Sequence, residues 1–328
     1  MKRILFIHNQ LTRFVRVDRD LLAERHSVTE RYEPSVLRLR PRAIRREVRA
    51  HDLVFAWFAS WHSLLPVWFA RQLGKASVVV VGGYDTANLP EAGYGSQRGG
   101  VRKVLSRAVM GAATRLLTNS ESAGREAVHN AGADPARVSV IYHGVDPAPE
   151  GPGGRRERIV LTVGNVWREN LLRKGLLPFV RAAALLPDAR FVHVGRWCDD
   201  GIDELRRLAP PNVEFLGHLP DEQLFRWYAR ASVYVQASLH EGFGMSVAEA
   251  MSAGCVPVAT RAGALPEVVG PAGFYAESAD PGGVADAVRL ALDRADELRV
   301  AARARVLAEF PMRRRRAALH ELVEAVAS

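Results

Sequence analysis

Two carboxylates, Glu241 and Glu249, stand eight positions apart across the turn Gly242-Phe243-Gly244-Met245. The apolar run Ala231 to Ala237 before them reads as a buried strand and Val247 to Ala253 after them as a helix, which makes the turn a strand-to-helix junction. Amides freed at a helix start, together with the positive end of its dipole, favour a phosphate or diphosphate. Carboxylates beside such an anion site accept hydrogen bonds from hydroxyls. A ligand with one diphosphate portion and two polyol portions, a nucleotide sugar, satisfies both features. Glu249 also lies three residues after Ser246, the spacing of a capping box, so a purely local role competes with ligand contact. Glu241 precedes the turn and has no helix to cap.

A diphosphate calls for a cation. Lys174 precedes the apolar run Leu176 to Leu186, at the expected start of a helix, where the dipole disfavours a positive charge unless it serves an anion. A solvated surface lysine is the competing reading.

The stretch Glu241 to Glu249 continues into Ala250-Met251-Ser252-Ala253-Gly254-Cys255-Val256-Pro257-Val258 and Gly263-Ala264-Leu265-Pro266-Glu267-Val268-Val269. Upstream, in order, come Ile141-Tyr142-His143-Gly144-Val145-Asp146, Arg173-Lys174-Gly175 and Phe215-Leu216-Gly217. Together these segments resemble the E-x7-E region and flanking motifs of the family 4 retaining glycosyltransferases (glycosyl transferases group 1), which have the GT-B fold. The resemblance spans most of the second half and the tail of the first.

That resemblance implies that Glu249 binds the ribose hydroxyls, that Glu241 faces the transferred sugar, and that Lys174 neutralises the diphosphate. Gly164, Gly217, Gly242, Phe243, Gly244 and Met245 then belong to the donor site. The family has arginine directly after the glycine that ends the preceding strand, whereas this chain has Asn165, so Arg168 or Arg173 is expected to supply the second charge. The implied reaction moves a sugar from a nucleoside diphosphate sugar to a hydroxyl acceptor, lipid-linked or saccharide, with retention of configuration. Glu241 positions the sugar without attacking it. No cofactor is expected. No Asp-x-Asp stands at a strand end, and protein cations can do the work of magnesium, so metal independence is expected.

The positions of these residues follow from the alternation of strands and helices, the pattern of parallel sheets covered on both faces. The first series of expected strands is Arg3 to His8, Ser27 to Tyr32, Leu53 to Phe58, Ser77 to Val81, Arg115 to Thr118 and Val138 to Tyr142. Pro147 to Gly154 is a linker by composition. A second series follows at Arg158 to Val163, Phe191 to Val194, Val213 to Leu216, Val233 to Gln236, Val256 to Thr260 and Gly273 to Tyr275. The expected fold is α/β of the GT-B type, two doubly wound Rossmann-like domains with a cleft between them. They span 1–148 and 157–308, and the resemblance implies that the last helix, 312–328, packs back on the first domain. At 328 residues the chain suits two such units.

Ligands of open parallel sheets sit beyond the carboxyl ends of the strands. In the first domain that rim carries His8, Asn9, Trp57, His62 and Tyr84 as acceptor-side candidates. It also carries Asp85, near the point where relatives place a histidine. Asp85 is read either as a catalytic-side group or as a cap for the next segment. His8, Arg13 and Arg16 are further candidates for an acidic acceptor.

Cys198 and Cys255 alone support neither a disulfide framework nor a thiolate metal cluster. The start Met1 to Ile7 breaks at His8-Asn9 and reads as a strand, not a signal peptide. Leu53 to Ala70 is rich in tryptophan but is interrupted by His62 and Pro66 and is short for a membrane span. The net charge is +9. Residues 1–150 hold 22 basic against 14 acidic residues and residues 151–328 hold 23 against 22, so the first half carries almost all of it. Arg38, Arg40, Arg42, Arg45, Arg46 and Arg49 concentrate on one expected helix opened by Pro41. Such a cluster meets anionic lipid at roughly 1 kcal/mol per basic residue, or is a solvated helix face. Nucleic acid is excluded as a partner because no aromatic-basic platform accompanies the charge. The protein is therefore expected in the cytoplasm, either free or peripheral at the inner face of the membrane. A sugar-nucleotide epimerase and a non-catalytic GT-B binding protein are the rival readings.

Overall fold

The computed structural model describes residues 1–148, 156–277 and 279–327. The linker-like stretch 149–154 lies outside the described residues. Two units emerge from the chain's contacts, one formed by residues 1–144 with the segment from Met312 onward, the other by Val145–Pro311.

The first unit holds a wholly parallel sheet of β1 (Arg3–His8), β2 (Ser27–Tyr32), β3 (Leu53–Trp57), β4 (Ala76–Val81), β5 (Arg115–Thr118) and β6 (Val138–Val140), in the order β2-β1-β3-β4-β5-β6. β1, β3 and β4 are buried almost end to end, as expected of parallel strands covered by helices on both faces. Sequence neighbours alternate between the two cores. Leu5, Ile7, Val54 and Ala56 pack with Ile44, Val48 and Val67. Ile4, Phe6, Phe55 and Trp57 pack with Val15, Leu22, Leu319 and Val323.

The helix Met312–Val326 is fixed to this unit by more than apolar contact. Arg315, 1 % exposed, donates from Nε and Nη2 to both carboxylate oxygens of Asp18 at 2.7 Å, and from Nη1 to the carbonyls of Ile141 and Tyr142. A buried guanidinium is tolerated only when its donors are matched in this way.

The second unit repeats the arrangement with β7 (Glu157–Val163), β8 (Arg190–Val194), β9 (Val213–Phe215), β10 (Ala231–Gln236), β11 (Val256–Ala259) and β12 (Phe274–Tyr275). Their order is β12-β11-β10-β7-β8-β9, again parallel throughout. Leu53 to Ala70 resolves into β3 and the helix Trp61–Gln72, and no helix among the described residues is long and apolar enough to cross a membrane.

Candidate functional site

The carboxyl end of β10 runs through Ala237 and Ser238 into the turn that carries Glu241, after which the helix Met245–Ser252 begins. Lys174 reaches this turn from a short helix, Asn170–Arg173, that follows β7. Gly175 makes the approach possible. Its φ of +67° is left-handed, and a Cβ there would stand 2.1 Å from the carbonyl oxygen of Ala237. The amide of Leu239 donates to the carbonyl of Arg173 at 2.8 Å and closes the junction. On the other side Gly263, φ +55°, lets its segment pass so close to Glu241 that a Cβ would lie 2.3 Å from the Glu241 carbonyl oxygen.

Glu241 is buried, and three donors converge on its Oε1: Lys174 Nζ at 2.6 Å, Ser238 Oγ at 2.8 Å and Gln236 Nε2 at 2.9 Å. Burial pushes the carboxyl up, but the Lys174 charge and hydrogen bond, Ser238 and the Arg173 charge outweigh it and hold the group below its ordinary value. Glu249 is equally buried, one helical turn further on. The helix starts at Gly244, whose left-handed φ of +98° forms the N-cap without a side-chain bond. The Ser246–Glu249 capping box is therefore not formed, because the helix begins two residues too early for Ser246 to cap it. The first-turn amides, Met245 to Val247, have no partner within the helix.

The two candidate arginines part company. Arg168 is held through Nε and Nη2 by both oxygens of Asp200 at 2.7 Å, and its own amide bonds Asp199. Arg173 folds over Asn170 Oδ1 and is the arginine whose charge acts on Glu241. Asn165 accepts from the amide of Arg196, and the carbonyl of Gly164 accepts from His193 Nε2 at 2.8 Å. Gly217, φ +70°, lies against the half-exposed Trp197, a ring that sequence reasoning passed over and that Arg206 covers at 4.3 Å. Phe243 turns inward, edge-on to Phe310 at 5.3 Å, and anchors the turn with its side chain.

In the first unit, the ends of β1, β3 and β4 surround a cavity of about 470 Å³ lined by Asn9, Phe58, Trp61, Tyr84, Arg102 and Leu105, among others. Asp85, 3 % exposed, ties this rim together. Its Oδ2 accepts from the amide of Ala59 at 3.0 Å, and its Oδ1 from those of Gly82 and Gly83 at 3.0 and 3.2 Å. Burial pushes this carboxyl up against the pull of those amides. The expectation of an acid facing a ligand thus gives way to the capping alternative, since both oxygens are taken by backbone donors.

Three other acceptor-side expectations need correction. Trp57 is fully buried against Phe14 and His143, because the last residue of β3 points to the inner core. His62 is also buried and bonds the Trp57 carbonyl through Nε2 at 2.7 Å, with burial lowering its pKa to about 4. His8 is 1 % exposed and pairs with Glu30. Asn9 and Tyr84 do line the cavity. Sequence reasoning missed Arg102, which donates to Tyr84 Oη at 2.6 Å from the first turn of the helix Gly100–Ala112. The doublet Gly99-Gly100 opening a basic segment was the available signal.

Residues 12–149 match the model of glycosyltransferase family 4, and residues 157–294 that of glycosyl transferases group 1. The chain belongs to the group 1, family 4 glycosyltransferases. Curated relatives include the D-inositol 3-phosphate glycosyltransferases of Mycolicibacterium vanbaalenii, 32 % identical over 56 % of this chain and 46 % of the relative, and of Mycolicibacterium gilvum, 31 % identical over 69 % and 53 %. The chain thus spans about half the length of these relatives. Among solved structures, Anabaena HepE in complex with UDP-glucose aligns over 99 % of this chain and 100 % of its own, with a TM-score of 0.79 at 17 % identity. The sucrose-phosphate synthase of Thermosynechococcus elongatus covers 99 % of both chains at a TM-score of 0.77 and 19 % identity. The fold of this family 4 member is GT-B, two Rossmann-like units each built on one of the parallel sheets.

Proposed function

We propose that this protein transfers a sugar from a nucleoside diphosphate sugar to a hydroxyl acceptor, with retention of configuration. The observation that carries the reading is the Lys174 ammonium held at 2.6 Å on Glu241, beside a glycine turn that opens the helix bearing Glu249. In this reading Lys174 and Arg173 meet the diphosphate together with the first-turn amides. As the glycosidic bond breaks, negative charge grows on the leaving diphosphate, and preorganised cations stabilise it without a metal or other cofactor. Glu241 is ionised and already bonded through Oε1, so its other oxygen serves the transferred sugar as an acceptor. Glu249 accepts from the ribose hydroxyls. The capture of UDP-glucose by HepE, a protein of the same fold, supports a nucleotide-sugar donor.

An epimerase would use the same donor without an acceptor, and a non-catalytic binding protein would have no need of a cation held on the buried Glu241. The reading is tested by incubating the protein with UDP-, GDP- and ADP-sugars and following thermal stabilisation and diphosphate release. A donor at a hundred times its dissociation constant should stabilise by about 2.7 kcal/mol. Conversion of the sugar nucleotide to an isomer, with no diphosphate released, would replace the transferase with the epimerase.

For localisation we place the protein in the cytoplasm, peripheral at the inner face of the membrane. The helix Pro41–Ala50 buries Ile44 and Val48 and exposes Arg42, Arg45, Arg46 and Arg49, and the turn before it exposes Val36 and, at 91 %, Leu37. Apolar side chains standing out beside arginines suit an anionic interface. The protein should sediment with phosphatidylglycerol vesicles at low salt and be released as salt rises. Replacing those four arginines by glutamine should abolish this without changing nucleotide affinity, and sedimentation unaffected by the replacement would remove the proposal.

A further inference from the structure

β10 is buried at every position, yet it ends on an amide, Gln236, 3 % exposed. A buried amide needs partners for two donors and an acceptor, and here the partners give it a direction. Tyr234, two positions back and on the same face of the strand, donates from Oη to Gln236 Oε1 at 2.9 Å. Gln236 Nε2 donates to Ser238 Oγ at 2.7 Å and to Glu241 Oε1 at 2.9 Å, and Ser238 Oγ donates in turn to the same Oε1 at 2.8 Å. Each bond polarises the next, so the whole run points its donors at one carboxylate oxygen.

Tyr234 decides that direction. It is fully buried, and burial pushes its phenol well up against the pull of Ser246 and the Val163 amide, so the hydroxyl keeps its proton. With that proton on Oε1, the opposite setting of the amide, which would turn Oε1 onto the charged Glu241, is closed. Lys174 is a different kind of partner. Its side chain is 24 % exposed, and an arriving diphosphate competes with Glu241 for its charge. A buried carboxylate that loses its cation rises toward protonation unless neutral donors hold the charge. Gln236 and Ser238 are such donors, and they carry no charge for an anion to attract.

We propose that Tyr234 and Gln236 are positioning residues for the transfer reaction. Tyr234 sets the Gln236 amide with its donors toward Glu241, and that amide keeps Glu241 ionised, its other oxygen serving the sugar, while the diphosphate holds Lys174. This rests on the transferase reading above and adds two residues to the same site. Among the described residues, the charged and titratable groups around Glu241 are Lys174 and Arg173 from the segment before the helix Leu176–Ala182, Tyr234 from β10 and His240 beside it in the chain. Glu249, from the helix Met245–Ser252, acts on the same Tyr234 phenol as Glu241 does. On the Gly263 segment, Arg261 turns onto the Tyr275 ring at 4.1 Å.

The test follows the Glu241 carboxyl directly, by carboxyl-carbon NMR of the full chain carrying labelled glutamate, with the signal assigned by its loss in Glu241→Gln. Gln236→Met keeps the shape and removes the amide, and Tyr234→Phe removes one oxygen. Each should raise the titration midpoint of Glu241, Gln236→Met by about one unit and Tyr234→Phe by about half as much. Lys174→Ala stands in for the cation drawn away, and in that background both increases should become roughly twofold larger. In turnover of a nucleotide sugar, the acid limb of kcat should climb with the midpoint while the donor KM changes less than about threefold, whereas a structural defect would lower kcat at every pH. Midpoints equal to the parent's in both variants overturn the inference, and a shift confined to Gln236→Met removes Tyr234 from it. The titration needs no turnover, so shifted midpoints in a protein that consumes no nucleotide sugar would remove the transferase reading and not the hold on Glu241.

Discussion

Asp85 and Glu241 are both buried carboxylates beyond the carboxyl ends of parallel strands, yet they are satisfied by different partners. Asp85 is bound by three backbone amides drawn from the ends of β3 and β4. Glu241 is bound at one oxygen by a lysine, a serine and a glutamine. Amides neutralise a carboxylate by geometry and consume it, whereas side chains that converge on one oxygen leave the other available and bring a mobile positive charge with them. The first acid therefore builds a rim and the second equips one.

If that contrast is right, the largest effect belongs to the cation on Glu241. Lys174→Ala should reduce turnover by roughly two to three orders of magnitude with a nucleotide-sugar donor, the size of loss seen when one preorganised charge stabiliser is removed. Arg168→Ala should cost less than tenfold, because Asp200 already holds that guanidinium, and Arg173→Ala should fall between the two. Chelators should leave the wild-type rate unchanged. Inhibition by a chelator that magnesium reverses would show that the charge is supplied by a metal, and the contrast would then lie elsewhere.

Stability should run the other way. Asp85→Ala strands the amides of Ala59, Gly82 and Gly83 in a buried loop, at a total cost of roughly 2–4 kcal/mol by denaturant unfolding. Glu241→Ala also removes a desolvated charge, and Lys174 retains access to solvent, so its cost should be about 1 kcal/mol or less. Equal costs would mean that Glu241, too, is chiefly a structural group.

The same contrast explains which features the sequence discloses. Strand positions emerge because buried parallel strands are continuous apolar runs. β1, β2 and β5 occupy the expected residues, and the remaining strands differ by a residue or two at their ends. The group around Glu241 is legible because Lys174-Gly175, the Gly-Phe-Gly turn and Gly263 are short-range patterns with steric reasons. The other rim is not, because nearness to a strand end does not say which way a side chain points. Trp57 and His62 stand in the rim by position and in the core by orientation. Long-range pairs are also silent: nothing local announces that Arg315 meets Asp18 or that Arg102 meets Tyr84.

The smallest expected effect is the most direct comparison of the two acids, because they should titrate in opposite senses. Glu241 is held below its ordinary value, so its contribution to stability is fully present above the unfolded value of about 4.3 and is lost as pH falls through the depressed folded value. Asp85 is raised by burial, so its contribution is fully present below the unfolded value of about 3.9 and is lost as pH rises through the raised folded value. Each unit of displacement is worth about 1.4 kcal/mol. Thermal midpoints measured from pH 3 to pH 7 should therefore show wild type gaining on Glu241→Gln as pH rises and losing ground to Asp85→Asn. The amide introduced at Asp85 faces backbone donors and shifts its curve by a constant, so the slope and not the offset carries the comparison. Slopes of the same sign would mean that the amides around Asp85 outweigh its burial, and the two carboxylates would then differ in partners but not in charge state.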